Sequence, residues 1–468
     1  MSANIVFFAV IMLAFVIVLY ARRGHGGGGA RDYFVASGQF GSFLLFFLSV
    51  GETYSIGSIL GFPAATYVQG TPFVLWFLGY IVLAFPLGYF VNPLIWRAGR
   101  RVGAMTGVDL FRFHFESRGL EKLVALNAII CLVPLGEMQF VGLLGVLKAF
   151  HWPVSGFVPM AGAGGLTFVW ILLSGIRAPA YVSFIKDTLV VVAVLLVGMA
   201  ALRALGVDGA ATQTVPESSV HRPGEGNLLV MSTILFQAAG FCVAPANIAF
   251  LFTARSDRIV RRNQIVMPLY MLMFPFLYAV AMFARYGGGA GAMANDVFMT
   301  SATTLLPGWA VGLVAAACGL SGLVILAGNC LTLGPLVSHN LLHGLSDQGQ
   351  RRGAQVVIGG YLLFSVVAAD HLTSVMTVLN TLFYMGISQI IPGMIAIVLR
   401  KGVGAFPIGA GLVVGDCVSA GLALFGPQPA AVNAGMVGLL WNVAIVGVLE
   451  GIRRCQAGEA AMRAAGRK

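Results

Sequence analysis

Of 468 residues, 58% are hydrophobic and only 10% are charged, with a formal net charge of +11. Soluble chains carry roughly a quarter charged residues, and no single core hides this much apolar surface from water. The composition excludes an ordinary soluble domain. The basic residues sit at the ends of apolar runs rather than in one patch, which excludes a nucleic-acid-binding surface.

A bilayer is crossed by about 20 mostly apolar residues. Such runs recur in chain order at 3–21, 41–66, 73–96, 123–147, 155–175, 182–202, 228–252, 264–284, 307–341, 354–371, 374–399, 405–425 and 431–450. The first has no charge before it and no clear small-residue cleavage site, so it reads as a retained helix rather than a signal peptide. Lys and Arg concentrate in cytoplasmic loops and so test the count. With the N-terminus outside, 24 of the 28 fall on the cytoplasmic side, Arg177 and Lys186 among them; Lys148, Arg203, Arg222 and Arg285 fall opposite. The sorting predicts an all-α polytopic protein of about 13 transmembrane helices, with the N-terminus outside and the C-terminus cytoplasmic. The six cysteines show no CxxC spacing and five lie in apolar runs, so they read as packing residues.

Two spans are not ordinary helices. The second carries Gly51-Glu52-Thr53-Tyr54-Ser55 and then Gly57, Ser58, Gly61 and Pro63; the seventh carries Gln237, Gly240, Phe241, Cys242, Pro245 and Asn247. Each puts Gly, Pro and polar groups mid-membrane. Unwound backbone there is costly unless it lines a cavity. The two breaks lie five spans apart, the pattern of an inverted-repeat transporter with its site at the midplane. The repeats are expected at 41–202 and 228–399, with an extra helix at 3–21 and two more within 405–450, all in one membrane domain of 1–468.

Several segments resemble the sodium:solute symporter family. Asp32-Tyr33-Phe34-Val35-Ala36-Ser37-Gly38 is similar to its lead-in to the first core helix, and Ser49 to Pro63 to that helix itself. Thr106 to Phe115 resembles its cytoplasmic loop, with His114 where Arg is usual. Gln139 to Gly142, Gly175-Ile176-Arg177-Ala178 with Asp187, and Gly386 to Pro392 resemble further stretches. The GETYS segment and the NPLIWRAGRR loop are most similar to the bacterial monocarboxylate-permease-like branch. The resemblance implies a LeuT-type (5+5) inverted-repeat core, substrate held between the broken helices, and coupling to a cation.

The resemblance also assigns residues. It puts main-chain carbonyls of Gly51 and Tyr54 in a cation site. Its pair of Ser/Thr hydroxyls on the ninth span falls here on Val324 and Ile325, so Ser321 is the nearest substitute and sodium gives way to a proton as an alternative driver. Glu52 is expected as a coupling or substrate carboxylate, since an ionisable group inside a span costs at least about 2.5 kcal/mol. Asp187 is the second coupling candidate, or a partner of Lys186 and Arg177 at the cytoplasmic boundary. Thr53, Ser55, Gln139, Gln237, Phe241 and Asn247 are the expected substrate contacts. Glu137, two residues before Gln139, points to another helix face. Asp416 lies outside the repeats and reads as structural.

The expected function is cation-coupled (Na+ or H+) symport of a small organic solute, a monocarboxylate first, by alternating access in a bacterial inner membrane. An amino acid, a sugar, another neutral solute, or a transporter-like sensor without strong coupling are the alternatives. No enzyme is expected, because Gly26 to Gly29 lacks the Lys-Ser/Thr of a phosphate loop. The expected partners are the solute and the lipid bilayer, with no nucleic acid, no obligate protein partner and no cofactor beyond the coupling ion.

Overall fold

A computed structural model of the chain describes residues 2–22, 29–148, 150, 156–206, 227–286, 296–371, 376–426 and 431–465. The described residues are helical, apart from connections and one isolated bridge between Phe40 and Ala254. The chain opens with α1 (Ser2–Arg22), the short α2 (Ala30–Val35), and a broken helix made of α3 (Ser42–Thr53), α4 (Ile56–Ile59) and α5 (Gly61–Gln69). Then follow α6 (Thr71–Val102), the short α7 (Gly107–Phe115), α8 (Arg118–Lys148), α9 (Phe157–Ser174) and α10 (Arg177–Leu205). A second broken helix is formed by α11 (Asn227–Val243) and α12 (Pro245–Thr253). After it come α13 (Asp257–Val266), α14 (Phe274–Tyr286), the short α15 (Val297–Leu305), α16 (Gly308–Pro335) and α17 (Asp347–His371). The chain closes with α18 (Met376–Ile387), α19 (Ile391–Val398), α20 (Ala405–Phe425) and α21 (Ala434–Ala465).

Among the described residues, 11 helical segments are long and apolar enough to cross a membrane. The two broken helices bring the number to 13 and bend by 54° and 42°. The predicted count and both breaks therefore hold. Helix edges differ, because helices run past the bilayer at their polar ends: α6 continues through Arg97, Arg100 and Arg101, and α8 begins at Arg118 rather than near 123. One difference has consequences. The sixth span begins at Arg177, not 182, so Lys186 is nine residues into α10 with a side chain 0% exposed. Lys186 thus leaves the loop count that sorted the basic residues. Arg177 pairs with Asp32 through two hydrogen bonds of 2.8 and 2.9 Å, and not with Asp187.

At the centre lies α16, with 94% of its apolar window buried inside the protein. Its Ala315-Ala316-Ala317, Gly312, Gly319 and Gly322 let neighbouring backbones approach closely, the usual basis of helix contacts where lipid supplies no hydrophobic drive. It packs against α1, α8, α9, α10 and α17. The broken helices cross beside it.

Motifs far apart in sequence meet at the arginine-rich end. Tyr33 donates its hydroxyl to the Ile171 carbonyl at 2.7 Å, and its own carbonyl accepts from the Ile176 N–H at 3.1 Å. Between them Gly175 takes φ +53. In the 106–115 loop, Thr106 and Asp109 form a reciprocal capping box on α7. Asn340 donates to Asp109 at 2.7 Å and to Glu121 at 3.1 Å. Burial by itself would raise the Asp109 carboxyl. Contacts from His339 and the N–H groups of Met105 and Thr106 outweigh it and hold the carboxyl below its ordinary value. These motifs therefore act as structural ties rather than as transport ligands.

A Cβ at Gly175 would lie 2.5 Å from the Tyr33 carbonyl oxygen. Gly175→Ala is expected to cost about 1–3 kcal/mol of backbone strain before that contact is relieved. The check is a lower thermal midpoint in detergent, against Gly162→Ala as a control, where a Cβ meets nothing within 4 Å.

Candidate functional site

Breaking a helix in an apolar slab exposes peptide groups that must find partners. At the first break Tyr54 (φ −75, ψ 56) and Ser55 (φ −85, ψ 160) leave helical geometry. The Val50 carbonyl accepts from Thr53 Oγ1 at 2.7 Å, and the Thr53 carbonyl accepts from Ser58 Oγ at 2.7 Å. Ser55 Oγ caps α4 by accepting from the Ser58 N–H at 2.9 Å. The hydroxyl protons of Thr53 and Ser58 are thus committed to backbone, which leaves the Ser55 hydroxyl as the donor in its 3.2 Å contact with Ser58 Oγ. At the second break Asn247 Nδ2 donates to the Phe241 carbonyl at 2.7 Å.

A cavity lies between the two breaks, about 840 Å³ with the open space at its mouth included. Thr53, Ser55 and Ser58 line it from the first break, and Phe241, Ala244 and Asn247 from the second. Gln139 enters from α8; its Nε2 bonds the Leu135 carbonyl at 3.1 Å, and its buried Oε1 has no hydrogen-bond partner among the described residues. Phe73, Trp76, Phe77 and Tyr80 form one wall on the first turns of α6, and Asn380, Phe383 and Tyr384 of α18 another. No charged side chain is among the described lining residues. The arrangement suits a small solute with an apolar body and one polar end.

The cavity sits toward the arginine-poor end, because its α6 wall is the end opposite Arg100 and Arg101. Toward the arginine-rich end the path is shut. Phe40 bonds Thr253 and Arg255 through backbone at 2.8 and 3.0 Å, Trp96 Nε1 donates to the Ala254 carbonyl at 3.1 Å, and Arg97 pairs with Asp257 at 2.9 Å. Phe40 thus ties the approach to the first broken helix, and Trp96 and Arg97 tie the end of α6, to the exit from the second broken helix.

Thr53, Ser55, Gln139, Phe241 and Asn247, expected as substrate contacts from sequence, meet on this one cavity. Gln237 does not line it; it is buried one turn before Phe241 with Oε1 unpartnered among the described residues. Glu137 also lies off the lining, in keeping with its different helix face. The Glu52 side chain lies outside what the structure describes. Ser321 is buried on α16 and lines neither the cavity nor the smaller space beside Gly51, which is walled by Val324, Ile325, Gly328 and Asn329.

The carbonyls of Gly51 and Tyr54 do converge, but on a side chain. Lys186 Nζ donates to Gly51 O at 2.7 Å and lies 3.3 Å from Tyr54 O, with Asp187 Oδ1 at 2.6 Å. Asp187 is accordingly deep within the helix bundle, not at the cytoplasmic boundary. Sequence reading missed Lys186 because Arg177 and Lys186 straddle an apolar stretch that reads equally well as loop or helix start. It also missed the aromatic wall. Phe73, Phe77 and Tyr80 recur at helical spacing, which could have flagged one face, yet that spacing also suits rings facing lipid.

Asn247→Ala would leave the Phe241 carbonyl without its side-chain donor and is expected to destabilise by about 1–3 kcal/mol. Gln139→Ala loses only a bond to its own helix, so it is expected to keep the thermal midpoint and raise KM. Thermal melts in detergent and initial uptake rates measured side by side check both.

The sodium:solute symporter family profile matches residues 33–352. A monocarboxylate transport permease protein of Rhizobium johnstonii is 27% identical, over 68% of this chain and 67% of its own length. An uncharacterized symporter of Bacillus subtilis is 25% identical, over 95% and 96% respectively. Among solved structures, a Na+-coupled sialic acid symporter in a substrate-bound outward-open state superposes with a TM-score of 0.79 at 15% identity, covering 97% of this chain and 98% of that one. At that identity the likeness speaks for the LeuT-type fold. With the family match, the thirteen crossings and the paired broken helices, the chain is a multi-pass membrane transporter, not an enzyme, and belongs to the sodium:solute symporter family.

Proposed function

We propose that this transporter carries a small monocarboxylate across a bacterial inner membrane by cation-coupled symport. The observation that carries the reading is the cavity itself: a chamber with aromatic walls and polar groups gathered where the two helix breaks meet. A short acid has that shape, with an apolar body and one carboxylate.

Carboxylate recognition here falls to backbone and neutral donors. Ala244 and Asn247 place the N-terminal end of α12 on the cavity. Pro245 opens that helix, and the first-turn N–H groups beyond it have no intrahelical carbonyl to bond. They present the positive end of the helix dipole to an anion. The Ser55 hydroxyl faces them across the chamber. The permease of Rhizobium johnstonii supports the same substrate class. A neutral solute is the second reading, favoured by the absence of a basic side chain among the described lining residues.

The arginine sorting supports a cytoplasmic arginine-rich end. The cavity then lies toward the outside and the closed contacts toward the cytoplasm, the posture of a carrier ready to load.

Purified protein in proteoliposomes, given a panel of short monocarboxylates, amino acids and sugars under an imposed ion gradient, tests the assignment. Saturable accumulation of a monocarboxylate, competed by other short acids, is the expected result. Accumulation of a neutral solute with no competition by monocarboxylates would move the assignment to the second reading.

A further inference from the structure

Lys186 is a lysine with no exposed side-chain surface in the core of a membrane protein. Burying an ammonium costs several kcal/mol unless oxygen atoms replace its water. Here the replacements are the Gly51 carbonyl at 2.7 Å, the Tyr54 carbonyl at 3.3 Å and Asp187 Oδ1 at 2.6 Å. Two of these oxygens exist as free acceptors because the helix breaks at Tyr54. An ammonium has three N–H donors, so three oxygens suit it. The α16 surface beside Gly51 offers Val324, Ile325, Gly328 and Asn329 there, of which only Asn329 carries a side-chain oxygen.

Asp187, next to Lys186 on α10 and also buried, sets its carboxylate 2.6 Å from the ammonium and balances the buried charge.

We infer that Lys186 is a tethered cation: its ammonium takes the place of a free sodium ion at the first helix break. The inference rests on the reading of the chain as a symporter. Lys186 joins the broken helix to α10 through the two carbonyls.

Two measurements decide the matter. The first is equilibrium binding of radioactive sodium to purified wild type, Lys186→Ala and Lys186→Met, which needs no substrate. The expected result is no saturable binding by wild type or by Lys186→Met, and several-fold more by Lys186→Ala, where the carbonyls and Asp187 are vacated. Saturable sodium binding by wild type that Lys186→Ala fails to increase would overturn the inference. The second keeps it testable should Lys186→Ala not fold. In wild-type proteoliposomes the initial rate of solute uptake should be the same under an inward sodium gradient as under an inward potassium gradient. Uptake several-fold faster under the sodium gradient would overturn it. If no solute in the panel is moved by any form, the symporter reading fails, and the sodium-binding measurement still judges the site.

Discussion

Every peptide group unwound inside an apolar slab needs a partner, and this constraint organises the molecule around its two helix breaks. At the first, side chains of Thr53, Ser55 and Ser58 and the Lys186 ammonium take up the freed backbone groups. At the second, Asn247 serves the Phe241 carbonyl. The residues that satisfy the breaks also face the cavity, so the cost of interrupting a helix and the supply of polar groups to a ligand are met by the same atoms. Lys186 is the exception. It approaches the break from α10 and links that helix to α3 through the Gly51 and Tyr54 carbonyls.

The two ends of the molecule are built differently. The arginine-rich end is dense with polar ties: Asp32 with Arg177, the Asp109–Asn340–Glu121 cluster, Arg97 with Asp257, and the backbone pair of Phe40 with Ala254. Around the cavity, Phe62, Phe73, Phe77, Tyr80 and Tyr384 meet ring against ring. Polar ties are discrete and break as units, whereas ring contacts slide. An alternating-access carrier that opens its shut end must therefore undo a small set of named bonds. The bridge at Phe40 and Ala254 lies directly between the two broken helices.

Several motifs that the resemblance marks as family signatures prove to be positioning devices. The Asp32-Tyr33 lead-in and the Gly175 to Arg177 stretch lock to each other rather than to a solute. The Thr106 to Asp109 segment caps α7 and gathers Asn340. Asp187 belongs to the same signature but faces a cation, and so stands apart from its neighbours.

The sequence by itself determined what depends on composition and periodicity along one chain. Apolar length counts the crossings, arginine placement orders their ends, and Gly, Pro and polar residues inside a span mark where helices break. All three are local, and lipid enforces them at every position. Five of the cavity residues were legible for the same reason, since they sit at the breaks or beside a recognisable motif. The aromatic wall on α6 was not legible, because a ring that faces a cavity and a ring that faces lipid have the same spacing. Nor was the fate of Gly51 and Tyr54. Their carbonyls were expected to hold an ion from solution. Only the packing of α10 against α3, which brings together residues 132 and 135 positions apart in sequence, decided that a lysine reaches them first.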